Sequence, residues 1–276
     1  MTTTESRASE TKAGPKFLEY IMTLGMTTME GRGFYYPVDT AIGQDGRLYV
    51  VNRSLDVVTR GVRVTMCDID SEYYGTFGAF GDKDGQFIWP SGGAIDSKGR
   101  VYVSDEQLHR ISIFDHAGLF LSRWGSHGTG EGELDTPSGI AFDDQDNLYV
   151  SDTHNSRIQV FDQDGELLYI WTHFGKPSGL FIDRNDILYA GDGLSGQLRT
   201  GPPDPWRSNF GWEKGIRIGD LKTEQAWVTH FIPQHDVDVG AGIEFLGVDF
   251  DGNIYAGEIT RVRLVRYVPF RPPEIR

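Results

Sequence analysis

Several things are scarce in this chain, and each shortage narrows what it can be. Among its 276 residues there is one cysteine, Cys67. That leaves no intramolecular disulfide and no multi-cysteine metal centre. No apolar run approaches the roughly 18 residues that a membrane-spanning helix needs. The first 16 residues, MTTTESRASETKAGPK, have no apolar stretch of the kind a secretory signal carries. Basic residues are outnumbered, 26 Lys and Arg against 40 Asp and Glu, for a formal net charge of −14. Nucleic-acid binders need a basic footprint, so that class of partner is disfavoured. No two of the 7 histidines stand in an HxxxH or HExxH spacing. The expectation is a cytoplasmic protein with no membrane contact, no cofactor and no bound metal.

What is abundant is glycine, at 35 residues, and it punctuates a repeat. Residues 136–172 read TPSGIAFDDQDNLYVSDTHNSRIQVFDQDGELLYIWT, and similar stretches occur at 89–125, 176–192 and 243–258, with a looser copy at 36–52. Pro37, Pro90, Pro137, Pro177 and Ile243 mark successive starts. The unit is therefore about 40 residues long, with insertions of unequal length.

Turn chemistry divides each unit into four strands, a to d. Strand a (SGIAFD) is apolar along its length, as suits an inner strand packed between sheets. An acidic turn with Gly or Asn leads into strand b (NLYVSD), and a polar loop precedes strand c (RIQVFD), whose alternation predicts one wetter face. A DQDG or DHAG hairpin turn leads to strand d. Four antiparallel strands in this length make one propeller blade. Outer strands are expected near 73–78, 119–124, 166–172 and 225–232. The last repeat ends after RVRLVRYV (261–268), without an outer strand of its own. FLEYIMTLG (17–25) resembles LFLSRWG (119–125) and can supply it, which would close the ring and hide its edges. The reading is all-β: a β-propeller of five four-stranded blades, or six if 193–242 hides a further sheet. The expected organisation is a disordered tail over 1–16, one propeller domain over 17–268 and a C-terminal tail over 269–276.

The segment PSGIAFD…NLYVSDTHNSRIQVFDQDG resembles an NHL repeat, and WGSHGTGEGELDTPSG resembles the glycine-rich link between such repeats. The likeness extends over about 35–268 and is densest at 89–192. Propellers of this family usually have six blades. They include RNA- and protein-binding modules and the peptidyl-hydroxyglycine amidating lyases, which are zinc enzymes. The stretch GIRIGDL, with GAGIEFLGVDFDGNIYAGE after it, is similar to bacterial proteins grouped with those lyases. In the lyases, histidines after the proline of several inner strands converge on zinc. The matching positions here are Val38, Ser91, Ser138, Ser178 and Glu244. Serine hydroxyls are poor zinc ligands, so the resemblance does not carry the metal across.

Candidate residues follow from blade geometry. In an antiparallel blade the b–c and d–a connections share one face of the disc. The long excursions at 26–36, 52–61, 193–215 and 233–242 all fall there. They bring Tyr36, Arg53, Arg60, Arg199, Trp206 and Trp212 to that face as binding residues, because loop arginines and aromatics are favoured contact anchors. Trp206 and Trp212 are equally explained as pins for a long insertion. Ser91, Ser138 and Ser178 are candidate contacts at the channel mouth, or simply small residues where inner strands crowd. Glu244 replaces that serine in the last blade and, with His173 or His235 nearby, suits a general base; a salt bridge between blades suits it as well. Asp105, Asp152, Asp192 and Glu258 end successive b strands, where a carboxylate accepts N–H bonds from the b–c loop. Arg110 and Arg157 read as structural, pairing with a neighbouring blade. Two functions remain open: a platform that binds a protein or small molecule through the loop-rich face, or a lyase- or hydrolase-type enzyme with a polar site over the channel.

Overall fold

Most blades turn their hairpins with the same aspartate. In the a–b turns, Asp96, Asp143, Asp183 and Asp249 each accept the amides two and four residues on, as at Lys98 (3.0 Å) and Arg100 (2.8 Å). In the c–d turns, Asp68, Asp115 and Asp162 do the same. A carboxylate that satisfies two turn amides folds the backbone locally, before any long-range packing. The next requirement is a left-handed residue. It is met by Gly46, Gly99 and Gly252, and by Asp146 (φ 63°) and Asp186 (φ 61°), a residue type that tolerates it. Part of the acidity and glycine content is thus turn chemistry.

The computed structural model describes residues 33–54, 59–70, 72–195, 212–222, 228–233, 243–249, 251–258 and 263–268. They form five antiparallel sheets arranged as a five-bladed propeller. The first blade is β1 (Pro37–Ile42), β2 (Leu48–Asn52), β3 (Arg63–Cys67) and β4 (Tyr73–Phe77). The second is β5 (Pro90–Ile95), β6 (Val101–Asp105), β7 (Arg110–Phe114) and β8 (Phe120–Trp124). The third is β9 (Pro137–Phe142), β10 (Leu148–Asp152), β11 (Arg157–Phe161) and β12 (Leu167–Trp171). The fourth is β13 (Pro177–Ile182), β14 (Ile187–Asp192), β15 (Gly215–Asp220) and β16 (Val228–Pro233). The fifth has β17 (Ile243–Val248), β18 (Ile254–Glu258) and β19 (Arg263–Tyr267) among the described residues. The count of five holds, and the described strands within 193–242, β15 and β16, are the outer half of blade four rather than a sixth sheet. The closing strand at 17–25 and both tails lie outside the described residues. Among those residues the one helical element is a single 3-10 turn, Thr59–Gly61, and no helix is long and apolar enough to cross a membrane.

The core lies between blades. One cluster joins the first and second blades through Val51, Val64, Phe87, Val103 and Phe114, and two more join the second to the third and the third to the fourth. A fourth packs the fourth blade on the fifth around Ile216 and Ile243. Phe245 of β17 rests against the first of these clusters, which brings the fifth blade back to the first. Phe114 is 1% exposed and meets Phe77, Phe87 and Phe120 at ring distances of 4.6, 5.6 and 5.8 Å.

Inner strands pack side by side around the axis, and their Ser-Gly pairs allow the close approach. A Cβ on Gly92 would stand 2.6 Å from the Ser138 carbonyl oxygen, and one on Gly139 closer still to that of Ser178. Strand c departs from expectation. Both β7 and β11 are buried on both faces. Gln159, on the face expected to be wet, is fully buried and donates to the Glu133 carbonyl (2.7 Å) and Asp152 Oδ2 (3.0 Å). Arg110, Arg157 and Gln159 alternate there because they hold a buried connection, not because they meet water.

Candidate functional site

The face carrying the b–c loops and the d–a links is built on the aspartates that end the b strands. Asp105 is fully buried and accepts from the amides of Gln107 (3.1 Å) and Leu108 (2.9 Å) in its own loop. It also accepts from Ile88 (2.7 Å) and Trp89 (3.1 Å) in the link before its blade. Asp152 accepts from the Asp135 amide (2.6 Å), Asn155, Arg157 (2.6 Å) and Gln159. Burial pushes its carboxyl above the usual range, against the pull of the Asp135 amide, Asn155 and Arg157. Asp192 accepts from Lys176 N (3.0 Å), Ser195 N (2.8 Å) and Arg217 (2.9 Å). Holding loop amides was expected of these residues; Asp105 and Asp192 do so, whereas Asp152 holds its loop through the Asn155 side chain, and all three also take an amide of the link.

The strand c arginines do not pair with the neighbouring blade as expected. Arg110 donates to the carbonyls of Asp82, Lys83 and Gln86, each at 2.9 Å. Arg157 donates to those of Thr129 (3.1 Å), Gly130 (2.6 Å) and Glu133 (2.7 Å). Their target is the link that enters their own blade, because a glycine-rich link presents bare carbonyls at that spot. Each link closes on itself through a parallel bridge, Phe80 to Phe87 in one and His127 to Leu134 in the other.

Two features sit on this frame. Between the first and second blades lies a cleft of about 350 Å³ lined by Ser54, Val62, Phe80, Ile88, Trp89 and Gln107, together with Thr59. Phe80 is 45% exposed. Ser54 is 6% exposed, and its hydroxyl has no hydrogen-bond partner among the described residues. Arg53 lies over the Trp89 ring at 5.1 Å, donates to the Pro90 carbonyl (2.7 Å) and Ser91 Oγ (2.7 Å), and forms a close ion pair with Glu106. Between the second and third blades, the corresponding ground holds His109, His127, His154 and buried Asp135. The rings of His109 and His127 are 4.2 Å apart. Burial holds the His109 imidazole below its usual pKa, and facing His127 adds to that.

The remaining expected site residues are distributed as follows. Tyr36 (φ 52°) and Arg60 are exposed on the loop face. Trp212 is half-buried with its ring 4.8 Å from the Arg217 guanidinium, which in turn pairs with Asp192. His173 is half-buried, 4.8 Å from the Phe174 ring and 6.4 Å from that of Trp171. Ser91 and Ser138 share a hydrogen bond at 3.1 Å across two blades, and Ser178 donates to the Gly191 (3.1 Å) and Ile243 (2.7 Å) carbonyls, the second in the next blade. The backbone of Glu244 sits where the β17–β18 register shifts, as the serines do in their own inner hairpins. Arg199, Trp206 and His235 lie outside the described residues.

The sequence reading missed Asp39, Glu106 and the convergence on Asp135. Asp39 accepts from the Gly93 amide of the next blade (2.8 Å) and from Thr40; burial raises its pKa to about 6, more than those two amides lower it. Its signal was a lone carboxylate at an inner-strand position that is glycine in three other blades.

Comparison with known proteins bears on the same region. Residues 134–161, from the end of the second link through β11, match the NHL repeat. The B-box type zinc finger protein ncl-1 of Caenorhabditis elegans is 46% identical over 48 residues, which is 17% of this chain and 6% of that protein. The chain thus corresponds to well under two thirds of that relative's length. Two solved structures share the architecture. A protein of unknown function from Bacteroides caccae has a TM-score of 0.55 at 13% identity, over 83% of this chain and 77% of that one. Virginiamycin B lyase from Staphylococcus aureus, an inactive variant with quinupristin, has a TM-score of 0.54 at 12% identity, over 86% and 71%. Likeness at these identities is likeness of fold.

Proposed function

We propose that this five-bladed propeller with its NHL repeat is a binding platform, and that it takes a protein segment or small molecule into the cleft between its first two blades. The observation that carries the reading is the Ser54 hydroxyl. It is buried, unpartnered among the described residues, and lines a cleft of mixed polar and apolar character beside Phe80, Ile88 and Trp89. A buried polar group without a partner costs about 1–3 kcal/mol, and a ligand acceptor placed against it recovers part of that. A group anchored by apolar contact and one hydrogen bond is the chemistry such a cleft suits. Net negative charge argues against a nucleic-acid partner.

A photo-crosslinking phenylalanine analogue placed at Phe80, and separately at Leu119 on the opposite face, tests this in cells. Discrete adducts from position 80 that fall at least tenfold when Trp89→Ala is added are the expected result. Equal adducts from both positions, or adducts only from position 119, would put the working surface on the other side of the disc. The lyase- or hydrolase-type alternative draws on a different observation, three imidazoles gathered about Asp135. On that reading His127→Ala abolishes turnover while the melting temperature stays unchanged; on the platform reading the adduct yield at position 80 survives the same substitution.

A further inference from the structure

We propose that His109, His127 and Asp135 form a binding site for a zinc-class divalent metal ion on the loop face between the second and third blades. The inference does not rest on the platform reading. Three separate positions supply the donors. His109 comes from the b–c loop of the second blade, and His127 and Asp135 from the two ends of the link that follows it. Their donor atoms all lie within 4.8 Å of one another. His109 Nδ1 is 3.8 Å, and His127 Nε2 3.7 Å, from the same Oδ1 of Asp135. A tetrahedral zinc ion with bonds of about 2.1 Å sets its ligand atoms about 3.4 Å apart. These two edges therefore need to shorten by only a few tenths of an ångström.

The state of Asp135 is the second, independent observation. The residue is 4% exposed, yet the hydrogen bond its carboxylate accepts is a single one from the Thr136 hydroxyl, at 3.2 Å. The other buried aspartates of this face, Asp105, Asp152 and Asp192, each accept at least three. A buried carboxylate with so little support calls for a cation, and what surrounds it is three imidazoles. His154 is the third, with Nδ1 3.5 Å from Asp135 Oδ1 and 2.8 Å from Thr136 Oγ1, which places it to orient the carboxylate from behind.

The frame exists without an ion. The Asp135 amide is held by Asp152 (2.6 Å), its carbonyl accepts from His154 N (3.1 Å), and Leu134 donates to the Ser126 carbonyl (2.8 Å). Thr136 has φ 58°, a costly conformation for a β-branched residue, and its amide points at His109 Nδ1 over a long 3.2 Å bond. That bond is the one an ion would replace. Nothing in the fold demands these side chains. The preceding link has Phe80 where this one has His127 and Ile88 where it has Asp135, and Gln107 stands for His154 in the b–c loop. Two imidazole nitrogens with one carboxylate oxygen is a borderline-soft set that suits zinc over calcium or magnesium. His127 is exposed, so a fourth position stays open to water or to a donor from a partner.

The full chain, stripped with a chelator, is titrated with Zn(II) by calorimetry and with Co(II) by visible absorption. One equivalent should bind, with tetrahedral ligand-field bands from cobalt. His127→Ala, at an exposed position, should keep the parent melting temperature, weaken zinc at least tenfold and remove the bands, and Asp135→Asn should do likewise. His116→Ala, in an exposed turn on the other face, should leave binding as it was. Failure to bind one equivalent would overturn the proposal, as would zinc affinity in His127→Ala and Asp135→Asn equal to that of the parent.

Discussion

Residues 78–89 and 125–136 run the same course. Each leaves an outer strand through a left-handed glycine, Gly78 or Gly125, closes a parallel bridge, gives three carbonyls to an arginine of the next strand c, and ends under a buried strand b aspartate. Yet one link brings Phe80, Ile88 and Trp89 to a cleft and the other gathers histidines about a carboxylate. The residues that fix the path (Gly, Arg and Asp) differ from the residues that meet solvent or a ligand. Function can therefore change at positions 80, 88 and 107, or at 127, 135 and 154, with no cost to the course of the chain. This is the usual division between a rigid scaffold and the loops it holds.

The largest effect should come from breaking the shared frame. Asp152→Ala strips a buried partner from Arg157 and Gln159 and should cost about 3–5 kcal/mol in chemical denaturation. Asp105→Ala removes loop and link amide bonds without unpairing an arginine that donates to it, and should cost about 2 kcal/mol. Equal losses would mean that the two hubs differ less than their bonding suggests.

The axial ends of the two interfaces differ too. Ser91 meets Ser138 at the second interface, whereas Asp39 meets the Gly93 amide at the first. With its pKa raised from 3.8 to about 6, folded Asp39 keeps a proton that the unfolded chain has released. Its stabilising contribution is full below about pH 4 and is lost as pH rises through about 6. Asp39→Asn keeps an acceptor for Gly93. It should flatten the fall in stability between pH 4 and 7 by at most about 3 kcal/mol, read from denaturation midpoints across that range.

On the cleft side, Trp89→Ala should weaken ligand capture more than tenfold while His127→Ala leaves it unaltered, as measured by crosslink yield from position 80. The smallest change should follow His116→Ala. This residue is exposed in its turn, and its backbone carbonyl, which accepts from Arg47 and Tyr49, is retained, so stability should move by less than about 0.5 kcal/mol.

Five blades were legible because their signals are local. An aspartate that folds its own turn and a glycine or aspartate three residues on lie within one short window, and a proline opens the inner strand of four blades. Strand c misled because alternation reports which side chains are polar, not whether water or a buried link receives them; Gln159 and Arg157 face the link. The histidines were visible one by one, and His127 and His154 fall in the right connections. Their meeting was not visible, because His109, His127 and Asp135 come from two connections that only the stacking of adjacent blades brings together. Trp212 was expected as a contact residue or as a pin for the long insertion; its stacking on Arg217 of β15 was not legible in the sequence.

The turn aspartates leave the molecule with an electrical direction. Those of the a–b and c–d turns, from Asp68 and Asp115 round to Asp249, leave carboxylates partly exposed on one rim of the disc, while Asp96 is buried against Arg100. On the opposite face the b-strand aspartates are buried among amides and guanidinium groups. Near a cationic surface, whether an ion-exchange resin or a basic partner, the acid rim should turn toward the charge and leave the cleft and the histidines facing outward. Because asparagine also forms this turn, the pull can be dialled down one turn at a time, and elution in a salt gradient should shift with each substitution while the blades stay folded.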